Sequence, residues 1–339
     1  TLELDPKNVN ALSSAAGILS SRGDYSRAQG LLDRALALKP DDVSVRLKRA
    51  TVALQTGQWA AAAAELSAAA TIDDRLPLYH LLLAVLEDAT GRPEQALREL
   101  DEAEKFSDVD DPLPVIWTTR AQIAASLGRV EVAETAVNRA AALAPESSLL
   151  GVRGDIAMAR HDWASAARYF RQAIAGKPQD SQLEARLGKA LEGLGDLSGA
   201  ESAIRRGIAK SRTGPEKERG YADLSLLYSR AGQEDQALHI LQQATVDLPQ
   251  SPALWGRLGA ALARASRWEE AIAAYERAVA ARPTASACKA LAGLLFEKRH
   301  DRARAVALWK QSLALKPDQP DVRNFLKNYG GDEAGSPKR

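Results

Sequence analysis

Residues 252–285 read PALWGRLGAALARASRWEEAIAAYERAVAARPTA, and this stretch decides the fold prediction. Its two halves each carry apolar residues at helical spacing. The small residues Gly259, Ala271 and Ala278 stand where two helix backbones have to approach closely, and large residues such as Trp255 stand beside them. The stretch is therefore predicted to form a hairpin of two packed helices.

The same pattern recurs along the chain with a period of about 34 residues. Numbering each unit from its first residue, only small side chains occupy positions 8, 20 and 27, and six units have a glycine at the turn between the two helices. Nine units fit this register, and they begin at residues 9, 43, 77, 114, 147, 181, 218, 252 and 286. Nine successive helical hairpins are therefore expected over residues 9–319.

Two units are longer than the period, and both carry their extra residues next to charged stretches. The first insertion lies around Asp108 to Pro114, and the second lies in Lys210 to Arg219, where Gly214 and Pro215 are expected to break the helix. Because loops tolerate insertions at little energetic cost, we interpret both as longer connections between hairpins. Bends between blocks of three units are the alternative.

The residues at positions 4, 7, 8, 11, 20, 24, 27 and 32 resemble the tetratricopeptide repeat. They are best preserved as Trp255, Leu258, Gly259, Leu262, Ala271, Tyr275, Ala278 and Pro283. The resemblance covers nearly the whole chain. It implies an all-α fold, an α-solenoid in which about nine hairpins stack into a right-handed superhelix, with the first helix of each hairpin lining a concave groove that binds extended peptides or partner domains.

The two ends of the chain differ from the repeating units. Residues 1–8 match the end of a second helix, so we interpret them as the end of a truncated upstream repeat. Residues 320–329 have a helical pattern that is typical of a capping helix on the last unit, and residues 330–339 are expected to form a flexible tail.

Composition and motifs argue against several classes of function. Forty-five Lys and Arg residues balance 44 Asp and Glu residues, which lacks the basic excess expected of a nucleic-acid-binding protein. No apolar run approaches the roughly 18 residues of a membrane span, so direct membrane insertion of this fragment is not expected. The lone Cys288 cannot form an internal disulfide or a zinc site by itself. The four histidines lie whole repeats apart. We therefore predict no catalytic, cofactor or metal site.

The resemblance implies that ligand-facing side chains come from positions 2, 5, 9, 12 and 13 of the first helices. In the second and third units these positions form an apolar stripe, and in the sixth to ninth units several are basic. The residues that we predict to contact a partner are Leu47, Leu54, Leu78, Leu81, Val85, Lys189, Arg219, Arg230, Arg264 and Lys298. The stripe would take apolar anchors, and the basic positions would attract an acidic segment. In the alternative interpretation the leucines pack neighbouring hairpins and the basic residues are ordinary solvated charges.

A non-enzymatic scaffold that binds a protein or peptide in its concave groove is the function predicted from these observations. Two alternatives remain open, a substrate-recruiting or regulatory region of a larger enzyme, and a component of a bacterial export or polysaccharide secretion assembly. The sequence does not choose between the cytoplasm and the periplasm. Self-association through an open N-terminal hairpin is a further prediction, because a truncated solenoid exposes an unpaired apolar face.

Overall fold

The structure, a computed structural model, describes residues 5–108 and 113–330. Within these ranges the protein is all-α, with helices paired into hairpins and no strand. The chain divides into two compact units, Thr1–Pro215 and Glu216–Arg339. None of the described helices is long and apolar enough to cross a bilayer.

Twelve described helices make up most of the first unit. They are α1 (Val9–Ser21), α2 (Tyr25–Leu38), α3 (Val43–Gln55), α4 (Trp59–Ala70), α5 (Pro77–Ala89), α6 (Pro93–Phe106), α7 (Pro114–Ser126), α8 (Val130–Ala141), α9 (Glu146–Ala159), α10 (Trp163–Gly176), α11 (Ser181–Gly193) and α12 (Leu197–Lys210). Each odd-numbered helix pairs with the next even-numbered one.

Helix α13 (Gly214–Arg230) starts at the end of the first unit, and the second unit contains the remaining described helices. They are α14 (Glu234–Asp247), α15 (Pro252–Arg264), α16 (Trp268–Ala281), α17 (Ala285–Lys298), α18 (Arg302–Leu315) and α19 (Pro320–Tyr329). Helix α19 packs on α18, where Phe325 stacks on Trp309 at 4.9 Å between ring centroids, and the buried Val322 joins the same apolar cluster.

Local chemistry fixes where these helices begin and end. Side chains such as Asp42 and Ser251 accept hydrogen bonds from backbone amides in the first turn of α3 and α15. Between the helices of a hairpin the chain passes through one residue of positive φ. Six glycines with φ from 71° to 82° fill this place, and His161, Ser266 and His300 adopt the same conformation with φ of 59°, 58° and 56°.

The hairpins are held together by close contact at the small-residue positions. All nine alanines at position 20 are at most 1% exposed. A β-carbon on Gly188 would lie 2.6 Å from Cγ1 of Ile204, and one on Gly259 would lie 2.8 Å from Cδ2 of Tyr275. Because real β-carbons do not approach so closely, a larger residue at either glycine would push the two helices apart.

The second insertion differs from its sequence prediction, because helix α13 already begins at Gly214. Pro215 lies in the first turn of this helix, where its missing N–H leaves no hydrogen bond unmade. Of the first insertion, residues 109–112 lie outside the described residues, as do residues 1–4 and 331–339 of the two predicted ends.

The start and the end of the first unit lie close together. Nη1 of Arg212 donates a hydrogen bond to the carbonyl oxygen of Ser21 at 3.3 Å. Cγ of Pro215 lies 3.4 Å from the place of a β-carbon on Gly57. The helices of this unit therefore curl back on themselves, which gives the unit an inner and an outer side.

Candidate functional site

Four successive first helices of the first unit, α5, α7, α9 and α11, line a groove of about 690 Å³. Helix α7 contacts α5 and α9, and α9 contacts α11, so the helices follow one another along the groove in chain order. The lining residues are Val85, Asp88, Thr119, Gln122, Ile123, Ala125, Ser126, Asp155, Met158, Ala159, Phe170, Gln182, Arg186 and Lys189.

The repeat explains which side chains meet in this groove. Position 9 of the four units supplies one residue from each helix, namely Val85, Gln122, Asp155 and Lys189. Residues three apart lie on one face of a helix, so position 12 faces the groove as well, with Met158 on α9 as an example. One repeat register therefore builds a continuous wall from four separate helices.

An ion pair lies on the α9 and α11 side of the groove. Nη1 of Arg186 donates to Oδ2 of Asp155 at 2.9 Å, and the side chain of Asp155 is 20% exposed. Burial raises the pKa of Asp155 to about 6, against the opposing effect of the Arg186 charge. Asp155 is therefore protonated more readily than an ordinary aspartate.

Two further charged residues line the groove, one on α5 and one on α11. Asp88 is exposed, yet the surrounding wall excludes enough water to raise the pKa of its carboxyl group. Lys189 is exposed on α11. Between them, helix α7 contributes neutral polar groups, among them Thr119 and Gln122.

The structure places only two of the ten predicted contact residues, Val85 and Lys189, in this groove. Three leucines of the predicted apolar stripe are instead buried, with exposures of 2% for Leu47, 9% for Leu54 and 5% for Leu81. They belong to the apolar clusters in which α5 packs against its neighbouring hairpins. The stripe is therefore not an open surface.

The burial of these leucines has a physical reason. Leu47 and Leu54 belong to the same cluster as Leu82 and Leu86 of α5, and the stacking of successive hairpins covers this cluster. Leu78, at 41% exposure, is the one leucine of the stripe that remains exposed. Replacing Leu78 and Leu81 together by glutamate, a natural test of the stripe, would bury a charge and disturb the fold.

The other predicted basic residues lie in the second unit, where Arg219, Arg230, Arg264 and Lys298 are all exposed. Three of them occupy the last turns of α13, α15 and α17, where a positive charge interacts favourably with the helix dipole. The partners of Arg264 and Lys298 lie within the same unit. Nη2 of Arg264 lies 3.6 Å from Glu234, and Nζ of Lys298 lies 4.5 Å from the ring centroid of Trp268.

Sequence reasoning missed the residues in the middle of the groove. Gln122, Asp155 and Met158 occupy positions 9 and 12, which are the positions that the resemblance marks as ligand-facing. The contact residues were predicted from the leucine-rich and the basic units, and the fourth and fifth units have neither pattern. Their positions in the repeat would have been enough to predict them.

The described side chains do not assemble a metal site, because no group of three His, Cys, Asp or Glu residues among them lies together. Cys288 is fully buried in the second unit, and burial raises the pKa of its thiol. The groove thus offers hydrogen-bonding groups, two acids, two bases and an apolar thioether, a set suited to binding.

Sequence models of the tetratricopeptide repeat match residues 19–86, 157–222 and 223–286, more than half of the 339 residues. Tetratricopeptide repeat protein 21B of Xenopus laevis is 21% identical over 334 residues, covering 92% of this chain and 25% of that protein. The chain thus spans about a quarter of the length of this curated relative.

Solved structures resemble the chain as well. The crystal structure of yeast Tom70 is 16% identical with a TM-score of 0.53, covering 97% of this chain and 82% of that chain, which shows the fold. PilW, described as a type IV pilus biogenesis factor, is 18% identical with a TM-score of 0.47, covering 59% of this chain and 92% of its own. The MamA protein is 19% identical with a TM-score of 0.39, covering 56% and 98%. With an all-α fold of stacked hairpins and repeat matches along its length, the chain belongs to the tetratricopeptide repeat family.

Proposed function

We propose that the groove on α5, α7, α9 and α11 binds an extended peptide segment of a partner protein. Family membership supports the broader function, since tetratricopeptide repeat proteins are protein-interaction scaffolds and are typically non-enzymatic. The observation that carries the finer proposal is that four consecutive first helices turn the same repeat positions into one groove of about 690 Å³.

The lining of the groove suits a peptide backbone. The amide groups of Gln122 and Gln182 can both donate and accept hydrogen bonds, and the hydroxyl of Thr119 can do the same. An extended segment has unpaired backbone N–H and C=O groups that need such partners. Met158 adds a flexible apolar contact that adapts to side chains of different shape.

The basic side of the groove favours an acidic residue in the bound segment. Lys189 and Arg186 both face the groove from α11. The positive charges of these two side chains would speed the binding of an acidic segment through long-range attraction. Of the predicted basic contacts, Lys189 is therefore the one that this proposal retains.

A phage-displayed library of random decapeptides, selected on the purified chain, provides a direct test. Gln122→Arg would place a bulky charge in the middle of the groove, and we expect it to weaken binding of the selected peptides at least tenfold. Gln95→Arg is the matched control, because Gln95 is exposed on α6 and does not line the groove. Circular dichroism would show that both variants keep their helicity.

The result that would overturn the proposal is a set of selected peptides that bind the Gln122→Arg variant as tightly as the Gln95→Arg variant. A library from which no peptide is enriched over the Gln122→Arg background would count against it equally. Loss of binding by both variants would point to a surface outside this groove.

A further inference from the structure

The charged side chains that line the groove differ in whether they already have a partner. Asp155 and Arg186 are joined by a hydrogen bond of 2.9 Å, and Lys189 takes part in an interaction of its own. Among the residues that the structure describes, none forms a hydrogen bond or an ion pair with the carboxylate of Asp88. A ligand that reaches Asp88 therefore meets an acid with no competing partner among these residues.

The place of Asp88 in helix α5 makes its negative charge unfavourable. Asp88 lies in the last turn of α5, where the helix dipole disfavours an acid, and this turn contains no basic residue. The nearest basic residue along the chain, Arg92, donates a hydrogen bond to Glu87 instead. A cation brought by a ligand would supply the compensation that the described residues do not.

The groove offers apolar surface together with this acid. Val85 lies one turn earlier on the same face of α5, and Ile123 and Ala125 of α7 line the same groove. Asp88 itself is exposed, yet burial of part of its surface raises the pKa of its carboxyl group. The groove thus combines an apolar wall with a carboxylate that a ligand can reach and that has lost part of its water.

This combination suits the side chain of a lysine or an arginine. Each has a stem of methylene groups that ends in a positive charge, so the stem can cover apolar surface while the charged end contacts an acid and water. A glutamate of the ligand would be repelled by Asp88, and a leucine would leave the carboxylate without a partner. A basic side chain satisfies both parts of the surface.

We infer that Asp88 is a specificity-determining residue of the groove and selects a bound segment that carries a lysine or an arginine. This inference rests on the proposed function of the groove. The apolar wall of Val85, Ile123 and Ala125 takes the methylene stem, and the carboxylate of Asp88 accepts a charge-assisted hydrogen bond from the basic end. This requirement is independent of the acidic residue proposed for the other side of the groove.

The first test selects the same random decapeptide library in parallel on the wild-type chain, on Asp88→Asn and on Asp41→Asn. Asp41 is the matched control, because it is an exposed aspartate of the first unit that does not line the groove. We expect lysine and arginine to be enriched in the peptides selected on the wild type and on Asp41→Asn, but not in those selected on Asp88→Asn. Equal helicity of the three proteins in circular dichroism would exclude misfolding as the cause.

A double-mutant cycle then tests the contact itself. One peptide selected on the wild type is synthesised in two forms, with its basic residue and with glutamine in that place, and fluorescence titration measures the affinity of both forms for the wild-type chain and for Asp88→Asn. We expect the glutamine form to bind the wild-type chain about fivefold more weakly or worse, and to differ by less than about twofold on Asp88→Asn, where the carboxylate is absent.

The possible failures can be told apart. Equal enrichment of basic residues on the wild type and on Asp88→Asn would overturn this inference, as would an equal loss of affinity of the glutamine peptide for both chains. If the peptides still lose affinity with Gln122→Arg, the proposed groove would stand. Peptides that are indifferent to Gln122→Arg would overturn the proposed function itself. Loss of the enrichment on Asp41→Asn would show a general charge effect and would also overturn the inference.

Discussion

The hairpin α11–α12 of the first unit and the hairpin α15–α16 of the second follow one backbone plan but are stabilised by different chemistry. Both have a glycine at position 8 that faces a large side chain of the second helix, Gly188 against Ile204 and Gly259 against Tyr275. They differ at position 4, where α11 has a glutamate and α15 has a tryptophan.

The glutamate of α11 is part of a buried ionic cluster. The side chain of Glu184 is 2% exposed and lies 3.0 Å from Nη2 of Arg206 and 2.6 Å from Nζ of Lys210. Both cations come from α12, so the cluster joins the two helices of the hairpin. A buried carboxylate is tolerated here because two charged groups replace the lost water.

The tryptophan of α15 also joins the two helices of its hairpin, through contacts of its aromatic ring. Nε1 of Trp255 donates a hydrogen bond to the carbonyl oxygen of Pro249 at 2.8 Å, and the guanidinium of Arg277 lies 5.0 Å from the ring centroid. The comparison teaches that the small residues define the backbone plan, while position 4 can hold either a charged group or an aromatic ring.

Replacing one of the small buried residues that both hairpins share should have the largest effect on stability. Ala271 is fully buried at position 20 of α16, and Ala271→Arg would force a charged side chain between two helices. We expect a loss of about 4 kcal/mol or more in the free energy of unfolding, seen as a lower melting temperature in circular dichroism.

The control for this substitution is Ala273→Arg in the same helix. Ala273 is exposed, so the same side chain would extend into water there and leave the melting temperature nearly unchanged. Equal melting of the two variants would mean that the repeat register does not place Ala271 between the helices.

A smaller loss of stability is expected for substitutions at position 4 of α11. These substitutions test the ionic cluster, which the α11–α12 hairpin has and the α15–α16 hairpin lacks. Glu184→Gln keeps the size but removes the charge that Arg206 and Lys210 hold, and we expect a loss of about 2 kcal/mol in chemical denaturation. Glu184→Met fills the same space without a polar group and frees both partly exposed cations to reach water, so it should stay within about 1 kcal/mol of wild type.

The pH dependence of stability gives a second readout of this cluster. Burial alone would raise the pKa of Glu184, but the hydrogen bonds and charges of Arg206 and Lys210 outweigh it, so the pKa lies below its ordinary value of 4.5. A carboxyl whose pKa is lowered by folding stabilises the protein above the unfolded pKa, and this contribution disappears as the pH falls below about 4.5.

Hydrogen-exchange protection factors, which are corrected for the intrinsic pH dependence of amide exchange, should therefore fall more in α11 than in α15 between about pH 5 and about pH 3. In the Glu184→Met variant this difference should vanish. An α11 exchange profile that is the same in wild type and Glu184→Met would exclude the ionic cluster as its cause.

The smallest changes in stability are expected for alanine substitutions at two glycines of one helix. The two substitutions should shift the stability in opposite directions. Gly259→Ala would place a β-carbon against the ring of Tyr275, and we expect a loss of about 1 to 2 kcal/mol. Gly256→Ala, three residues earlier in α15, meets no atom within 4 Å and should stabilise the helix by about 0.5 to 1 kcal/mol. Thermal melts that shift in the same direction would contradict the packing described for this hairpin.

Much of the fold could be predicted from the sequence, but the candidate site could be predicted only in part. The small residues and turn glycines, such as Ala271 and Gly195, imply close packing and positive φ at fixed places in each unit. The residues at position 9 follow the same register, which is why the sequence could indicate Val85 and Lys189 as groove residues. The burial of Leu47 and Leu81 could not be predicted, because their positions in the repeat do not reveal how far the next hairpin covers them.

Local periodicity and side-chain size determined the helical hairpins, because the packing of two adjacent helices depends on residues close in sequence. Contacts between residues far apart in sequence were decided only by the tertiary structure. Arg212 meets Ser21 across 191 residues of chain, and Asp155 pairs with Arg186 of the next hairpin. The curvature that brings such groups together is the sum of small rotations between successive hairpins, and no single repeat encodes that sum.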